Sequence, residues 1–177
     1  MTDVFISFVH EDKAIAEAVK RILEYELRPQ VKVFMTTDQS QMLAGDDWLK
    51  RIKEELTRAS IVMLMMSRRS IQKPWVNFEA GAAWIMGKRV IPVCFGNQSK
   101  ASLPHPYSQW QAVQIPDDER YLVNTVAGAL GIPRPVGKAF RTMMSPPTSE
   151  NPARIFDGVD ELGRNLGFVL AIWQDEQ

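Results

Sequence analysis

The chain has 177 residues, of which 45% are hydrophobic and 24% charged, a composition typical of an ordinary globular domain. Lys and Arg together number 21, as do Asp and Glu, so no basic excess favours nucleic acid or an anionic membrane as the main partner. One cysteine, Cys94, excludes an internal disulfide, and with only two histidines the sequence disfavours a Cys/His zinc site. We therefore predict one domain with an appendage, without a metal centre.

The sequence predicts neither a secretory signal sequence nor a membrane-spanning segment. Residues 4–9 follow the N-terminus directly as a strand pattern without a signal sequence, and no apolar run approaches the roughly 18 residues of a membrane span. Cys94 lies in an apolar run, as expected of a core thiol in a reducing compartment. We expect a cytoplasmic protein.

Short apolar runs alternate with helical periodicity along most of the chain. Strands are predicted at residues 4–9, 31–35, 61–66, 90–95 and 112–115. Helices are predicted at residues 12–27, 46–59, 74–86 and 118–130. Because strands that alternate with helices form parallel sheets through right-handed crossovers, the pattern favours an α/β fold. We predict a flavodoxin-like five-stranded parallel sheet of order 2-1-3-4-5, with helices on both faces.

The helix that starts at Pro74 contains the most informative residue. Pro suits the first helical position, because its missing N–H would have no partner there. Helical spacing puts Glu79 within one apolar arc, whose other members are Trp75, Phe78, Ala82, Ile85 and Met86. A carboxylate where a core residue is expected is typical of a functional site, although a Glu at the rim of the arc, exposed or paired with Arg, fits equally well.

Ligands of such sheets bind beyond the carboxyl ends of the strands, at the switch between the first and third strands. Residues 7–10 and 67–70 end these strands, and Glu79 follows in the next helix. No glycine-rich phosphate cradle and no Gly-x-Ser-x-Gly elbow occurs. An ionised carboxylate beside aromatic side chains suits cleavage of an N-glycosidic bond through an oxocarbenium-like ribose. Phe8 and Trp75 could stack on flat rings, or simply belong to the core.

The composition changes after the predicted fourth helix. Residues 133–150 are rich in proline and read as a linker. Residues 151–177 then show a helical apolar pattern, with Asn151 as N-cap. This C-terminal helix needs a partner for its apolar face, either its own domain or another subunit.

Four motifs in order resemble those of a bacterial Toll/interleukin-1 receptor (TIR) domain. They are Asp-Val-Phe-Ile-Ser-Phe at residues 3–8, Leu-Ala-Gly-Asp-Asp-Trp at residues 43–48, Ser67 at the end of the third strand, and Trp-x-x-Phe-Glu at residues 75–79. The resemblance covers roughly residues 2–132 and leads us to expect a TIR domain at residues 1–132. Many relatives carry Tyr and a basic residue where this chain has Phe8, Val9 and His10.

The resemblance also implies a function. In many microbial and plant TIR domains, the Glu of the Trp-x-x-x-Glu motif, here Glu79, is catalytic in cleavage of the nicotinamide–ribose bond of NAD+. NAD+ is then substrate, with no cofactor, and the loop at residues 36–46 borders it. The candidate substrate-binding residues are Ser7, Phe8, Val9, His10, Asp38, Asp46, Trp48 and Trp75. Stand-alone bacterial relatives often act in anti-phage defence of the Thoeris kind, releasing cyclic ADP-ribose isomers that activate a separate effector. Their active sites commonly form between self-associated subunits.

Two other functions remain open. TIR domains of animal receptors and adaptors are non-enzymatic modules that signal by self-association. Hydrolysis or transfer on another nucleoside, as in deoxyribosyltransferases with a similar sheet, is the third hypothesis. The carboxylate on the apolar arc favours an enzyme, because an adaptor does not need it.

Overall fold

The computed structural model describes residues 3–35 and 48–134. These residues form a sheet of five parallel strands, in the order β2-β1-β3-β4-β5. The strands are β1 (Val4–Ser7), β2 (Val33–Met35), β3 (Ile61–Met66), β4 (Arg89–Cys94) and β5 (Val113–Gln114). The predicted sheet order is thereby confirmed.

The described residues also form four α-helices. They are α1 (Lys13–Glu26), α2 (Trp48–Arg58), α3 (Pro74–Ile85) and α4 (Glu119–Ala129). The connection from β1 to β2 runs towards one edge of the sheet, and the connections to β3 and β4 run towards the other edge. Because crossovers between parallel strands are right-handed, α1 lies on one face of the sheet and α2 and α3 lie on the opposite face.

The core on the α2 and α3 side depends on the central strands. All six side chains of β3 are buried, as expected of a strand covered on both faces. Alternate strand residues share a face, and Phe5, Val62 and Leu64 lie in one apolar cluster with buried side chains of α2 and α3. The ring of Phe5 stacks on that of Phe34, with centroids 5.5 Å apart. This cluster fixes the position of α3 over the sheet.

Strand ends differ from the predicted ends by one or two residues. β1 ends at Ser7 rather than at Val9, because the Val9 carbonyl accepts a hydrogen bond of 2.9 Å from the Asp12 N–H and closes a 3-10 turn at His10–Asp12. Backbone partners of this kind are set by the fold and not by apolar pattern. The early turn leaves Phe8 and Val9 outside the sheet, at its carboxyl edge.

The chain divides into two compact units, and the described residues all belong to the first, Met1–Pro135. Most of the predicted linker and the whole predicted C-terminal helix lie outside the described residues and stay predictions. None of the helices in the described part of the chain is long and apolar enough to cross a membrane.

Candidate active site

The face of α3 that packs on the sheet differs from the predicted one. Its buried side chains are Val76, Glu79, Ala80 and Ala83, at the i, i+3, i+4, i+7 spacing of one helix face. Phe78, Ile85 and Met86, which the apolar arc placed in the core, are 59%, 81% and 42% exposed. The prediction was wrong because large apolar residues occur all around α3, so periodicity could not identify the packed side. Small residues at 80 and 83 allow the helix to lie close to the sheet.

Glu79 is fully buried, and its side chain faces the end of β1. Ser7 lies on the same side of β1 as Phe5, since side chains alternate along a strand, and Phe5 packs in the cluster that contains Val76 and Ala80. Ser7 is also fully buried. The fold therefore brings together two predicted site residues that are 72 positions apart in the sequence.

Burial is the main electrostatic influence on Glu79. Desolvation raises the pKa of its carboxyl group to about 7, and the nearby Ser7 hydroxyl and Trp75 indole N–H oppose the rise. Among the described residues, no donor makes a well-aligned hydrogen bond to either Glu79 oxygen, and the Ser7 hydroxyl likewise has no such partner. A buried carboxyl group without well-aligned hydrogen bonds costs folding free energy, so its presence calls for a functional explanation.

The aromatic and loop candidates differ in how deeply their side chains are buried. Trp75 is half-buried, packs against the core cluster and lies 5.2 Å from the ring of Phe78, measured between centroids. Phe8 and Val9 are partly exposed, and His10 is exposed on the turn after β1. These residues lie at the carboxyl edge, where a ligand can reach them.

A hydrogen-bond network that the sequence did not predict ties the two loops at this edge together. Asp12 precedes α1 at the N-cap position, but its side chain does not cap the helix. Its carboxylate instead accepts a hydrogen bond of 2.7 Å from the Ser67 hydroxyl at the end of β3. The Ser67 hydroxyl in turn accepts from the Ser70 N–H at 3.1 Å, and the fully buried Ser70 side chain accepts from the Ser67 N–H at 2.7 Å. We call Asp12, Ser67 and Ser70 the loop clamp.

Three candidates could not be placed in the site. Asp38 and Asp46 lie outside the described residues, and Trp48 begins α2 but its side chain is not among those described. Within residues 3–35 and 48–134, no group of three or more His, Cys, Asp or Glu side chains is arranged to hold a metal ion. The described part of the site therefore consists of one buried carboxyl group with hydroxyl, indole and aromatic neighbours.

Comparison with known proteins agrees with this sheet. The family profile described as "TIR domain" matches residues 4–124. The chain belongs to the TIR domain family. No curated protein matches the sequence significantly.

Two solved structures share the fold of this TIR domain. The TIR domain of the Toll-related receptor TRR-2 from Hydra magnipapillata superposes with a TM-score of 0.53 at 16% identity, covering 71% of this chain and 98% of that one. A metazoan TIR-STING receptor from C. gigas superposes with a TM-score of 0.52 at 19% identity, covering 80% of this chain. The match spans only 43% of the length of the TIR-STING receptor. At such low identity, both comparisons support the fold alone.

The loop clamp predicts the effect of Ser67→Ala on stability. Loss of the hydroxyl removes a donor from the buried Asp12 carboxylate, which should lower the free energy of unfolding by about 1–3 kcal/mol. Urea denaturation measures this change. Thr57→Ala is the control, because the Thr57 hydroxyl donates a 2.6 Å hydrogen bond to the Lys53 carbonyl on the exposed side of α2, and its loss should change the free energy of unfolding by less than about 0.5 kcal/mol. Equal effects of both variants would contradict the clamp.

The burial of Glu79 predicts a pH-dependent gain in stability for Glu79→Gln. The carboxyl pKa is about 7 in the folded protein against an ordinary value of 4.5, so the folded state binds the proton more tightly and Glu79 loses stability as pH rises through this interval. Replacement by Gln removes this loss. The unfolding free energy of the variant should exceed that of wild type by up to about 3 kcal/mol at pH 8, with a much smaller difference at pH 4.5. A difference independent of pH would show that Glu79 is not desolvated.

Proposed function

We propose that this TIR domain is an NAD+ glycohydrolase or ADP-ribosyl cyclase with Glu79 as its catalytic residue. The observation that carries the proposal is a fully buried carboxyl group without well-aligned hydrogen bonds among the described residues, on the helix that follows β3. This position adjoins the switch between β1 and β3, where ligands of open parallel sheets bind. Family membership adds support, since TIR domains are often NAD+-cleaving enzymes.

The proposed reaction breaks the bond between C1′ of the ribose and the nicotinamide nitrogen. The bonding electrons leave with nicotinamide, which departs neutral, and the ribose becomes oxocarbenium-like. The ionised Glu79 carboxylate stabilises this positive charge in a site of low polarity, where electrostatic stabilisation is strongest. Water then adds to C1′ and loses a proton, or a nitrogen of the adenine adds and closes a ring. No general acid is needed, because the leaving group already carries positive charge.

A pKa of about 7 fits this role when the substrate's own charge is considered. The free carboxyl group is only partly ionised at neutral pH. The cationic nicotinamide ring of NAD+ lowers the pKa of a carboxyl group beside it, because opposite charges favour the ionised form. Substrate binding would therefore ionise Glu79 when the charge is required. The half-buried Trp75 offers an aromatic face for the nicotinamide or adenine ring.

The biological setting is proposed from the family resemblance alone. A stand-alone enzyme of the Thoeris kind would release a linear or cyclic ADP-ribose signal in bacterial anti-phage defence, read by a separate effector, in the cytoplasm. NAD+ is the substrate, and no further cofactor, nucleic acid or membrane takes part. The alternative is a non-enzymatic module that acts by self-association, which the exposed apolar residues of α3 also fit.

Nicotinamide release from NAD+ at high protein concentration tests the proposed activity. Glu79→Gln should reduce the rate about 100-fold or more, as expected when a group that stabilises transition-state charge is lost. Glu119→Gln is a matched control, because burial and the neighbouring Asp117 raise the pKa of Glu119 to about 7 as well, but it lies in α4 beside β5 at the sheet edge. This variant should keep its rate within about threefold. Equal turnover by wild type and Glu79→Gln would overturn the catalytic role, and no release from either would favour the adaptor function.

The pH profile of the same reaction provides a second test. Because only ionised Glu79 stabilises the cation, kcat/KM should rise with pH through a midpoint near the free-enzyme pKa of about 7 and then reach a plateau. At saturating NAD+, the midpoint of kcat should lie at lower pH, since the bound nicotinamide cation favours the carboxylate. Initial rates from pH 5 to pH 9 measure both. A rate that falls as pH rises would indicate that the protonated acid is the active form.

A further inference from the structure

Lys73 and Glu11 form an ion pair across the carboxyl edge of the sheet. Lys73 immediately precedes α3, and Glu11 lies in the turn between β1 and α1. The Lys73 ammonium nitrogen is 3.8 Å from the nearer carboxylate oxygen of Glu11. Because β1 and β3 are neighbours in the sheet, the pair spans the switch between these two strands. Lys73 therefore projects over the crevice that the proposed substrate enters.

This ion pair lies nearer to the mouth of the crevice than the candidate catalytic carboxyl group. Ser7 is paired in register with Leu64, so it lies roughly 7 Å below the end of β3 at Met66. Glu79 is the sixth residue after Lys73, which places it roughly 9 Å further along the helix axis. The Glu79 side chain faces Ser7, so Lys73 lies above it at the entrance.

The charges at this edge are unevenly divided between its two loops. The turn at residues 8–12 contains two acids and no Lys or Arg. The loop at residues 67–73 contains no acid and three cations, which are Arg68, Arg69 and Lys73. Arg68 Nε donates a 3.3 Å hydrogen bond to the Asn97 carbonyl after β4, on the side of β3 away from β1. Lys73 instead contacts the turn after β1, so it is well placed to meet an anion at the switch.

The partner of Lys73 can be exchanged at little cost. The side chains of Lys73 and Glu11 are 49% and 41% exposed, and an ion pair with this exposure and distance contributes little to stability. A phosphate group offers an ammonium shorter, charge-assisted hydrogen bonds. An anionic ligand in the crevice therefore displaces Glu11 readily.

We propose that Lys73 binds the pyrophosphate of the dinucleotide substrate, exchanging Glu11 for it. This inference rests on the proposed function, which places C1′ of the nicotinamide ribose beside Glu79. The pyrophosphate is attached to C5′ of the same ribose, a few bonds from C1′. With the nicotinamide end inserted, the pyrophosphate trails towards the mouth of the crevice, at the level of Lys73.

The charges of the site then match those of the substrate in order. The carboxylate at the bottom faces the cationic nicotinamide ribose, and the ammonium at the mouth faces the anionic pyrophosphate. Complementary charges of this kind give specificity and a fixed orientation. Lys73 therefore selects nicotinamide compounds that carry phosphate over nicotinamide riboside, which has none.

An NMR chemical-shift titration of the full chain with ADP-ribose tests the contact without turnover, because this probe keeps the pyrophosphate and lacks nicotinamide. Lys73→Gln should weaken binding about tenfold or more, as expected when a hydrogen bond between charged groups is lost. Glu11→Gln should strengthen binding about threefold, because Lys73 loses a competing partner. Lys88→Gln is the matched control, since it removes the same charge at the far end of α3, where the ammonium donates to the Thr57 carbonyl at 2.6 Å. Its affinity should stay within about twofold of wild type.

Opposite effects of the two variants separate a substrate contact from a structural ion pair. If the pair only held the loops together, Lys73→Gln and Glu11→Gln would change binding in the same direction, and that result would overturn the proposal. Unchanged binding by Lys73→Gln, or no binding by wild type, would also overturn it. Both side chains are about half exposed, so each variant should melt within a few degrees of wild type.

Kinetics with and without phosphate on the substrate provide a second test. Nicotinamide riboside has the same glycosidic bond and leaving group as NAD+. Lys73→Gln should raise KM for NAD+ about tenfold with kcat within about threefold, and should leave kcat/KM for the riboside within about twofold. An equal loss with both substrates would contradict a phosphate contact.

The two proposals can fail separately, because ADP-ribose binding needs no catalysis. A wild type that binds ADP-ribose through Lys73 but releases no nicotinamide would support this contact and overturn the proposed enzyme. A wild type that releases nicotinamide with a KM unaffected by Lys73→Gln would do the reverse.

Discussion

The close packing of α3 on the sheet is the constraint on which the candidate site depends. Ala80 and Ala83 bring the helix near the central strands, and Val76 fills the space at its first turn. Glu79 shares this face and is carried into the core with them. Its carboxyl group loses solvent without gaining well-aligned hydrogen bonds among the described residues, which raises its pKa. The free energy that holds the charge in place therefore comes from apolar packing around it.

Contacts at the carboxyl edge hold the neighbouring loops against this helix. The loop clamp joins the turn after β1 to the turn after β3, which leads into α3. On the other side, the Tyr107 hydroxyl donates a hydrogen bond to the Asn77 side chain and anchors the loop after β4 to α3. Tyr107 is itself buried and packs edge-on against Trp110, with centroids 6.1 Å apart. A buried carboxyl group held between fixed loops resembles the preorganised sites in which electrostatic stabilisation is effective.

The sequence predicted the sheet well because its signal is local. Residues 61–66 are six consecutive apolar residues, as expected of a short strand covered on both faces. From the apolar pattern, burial and exposure of Glu79 stayed open, and the helix face considered for its burial was the wrong one. Phe78 and Ile85 outweighed Val76, Ala80 and Ala83 in the apolar pattern, because both sets have helical spacing and the first pair is larger. Small side chains carry little weight in such a pattern, but they determine how closely a helix can approach a sheet.

The role of Asp12 could not be predicted for a different reason. An Asp immediately before a helical pattern is expected to be an N-cap. The side chain of Asp12 instead accepts a hydrogen bond from Ser67, which is 55 residues away along the chain. Hydrogen bonds between side chains of distant elements leave no periodic signal. The turn at His10–Asp12 is also what shortens β1, so the error in the strand boundary and the missed clamp have one cause.

The two sides of α3 impose opposite demands on its sequence. A surface helix usually gains solubility from charged residues on its outer side and stability from apolar residues on its inner side. Here the single charge is on the inner side, where it costs stability, and the outer side is apolar, where it costs solubility. Exchanging Glu79 with an outer apolar residue would relieve both costs without altering the composition. That arrangement would also remove the buried carboxylate on which the proposed cleavage of NAD+ depends, so the proposed reaction accounts for a charge kept where it costs stability.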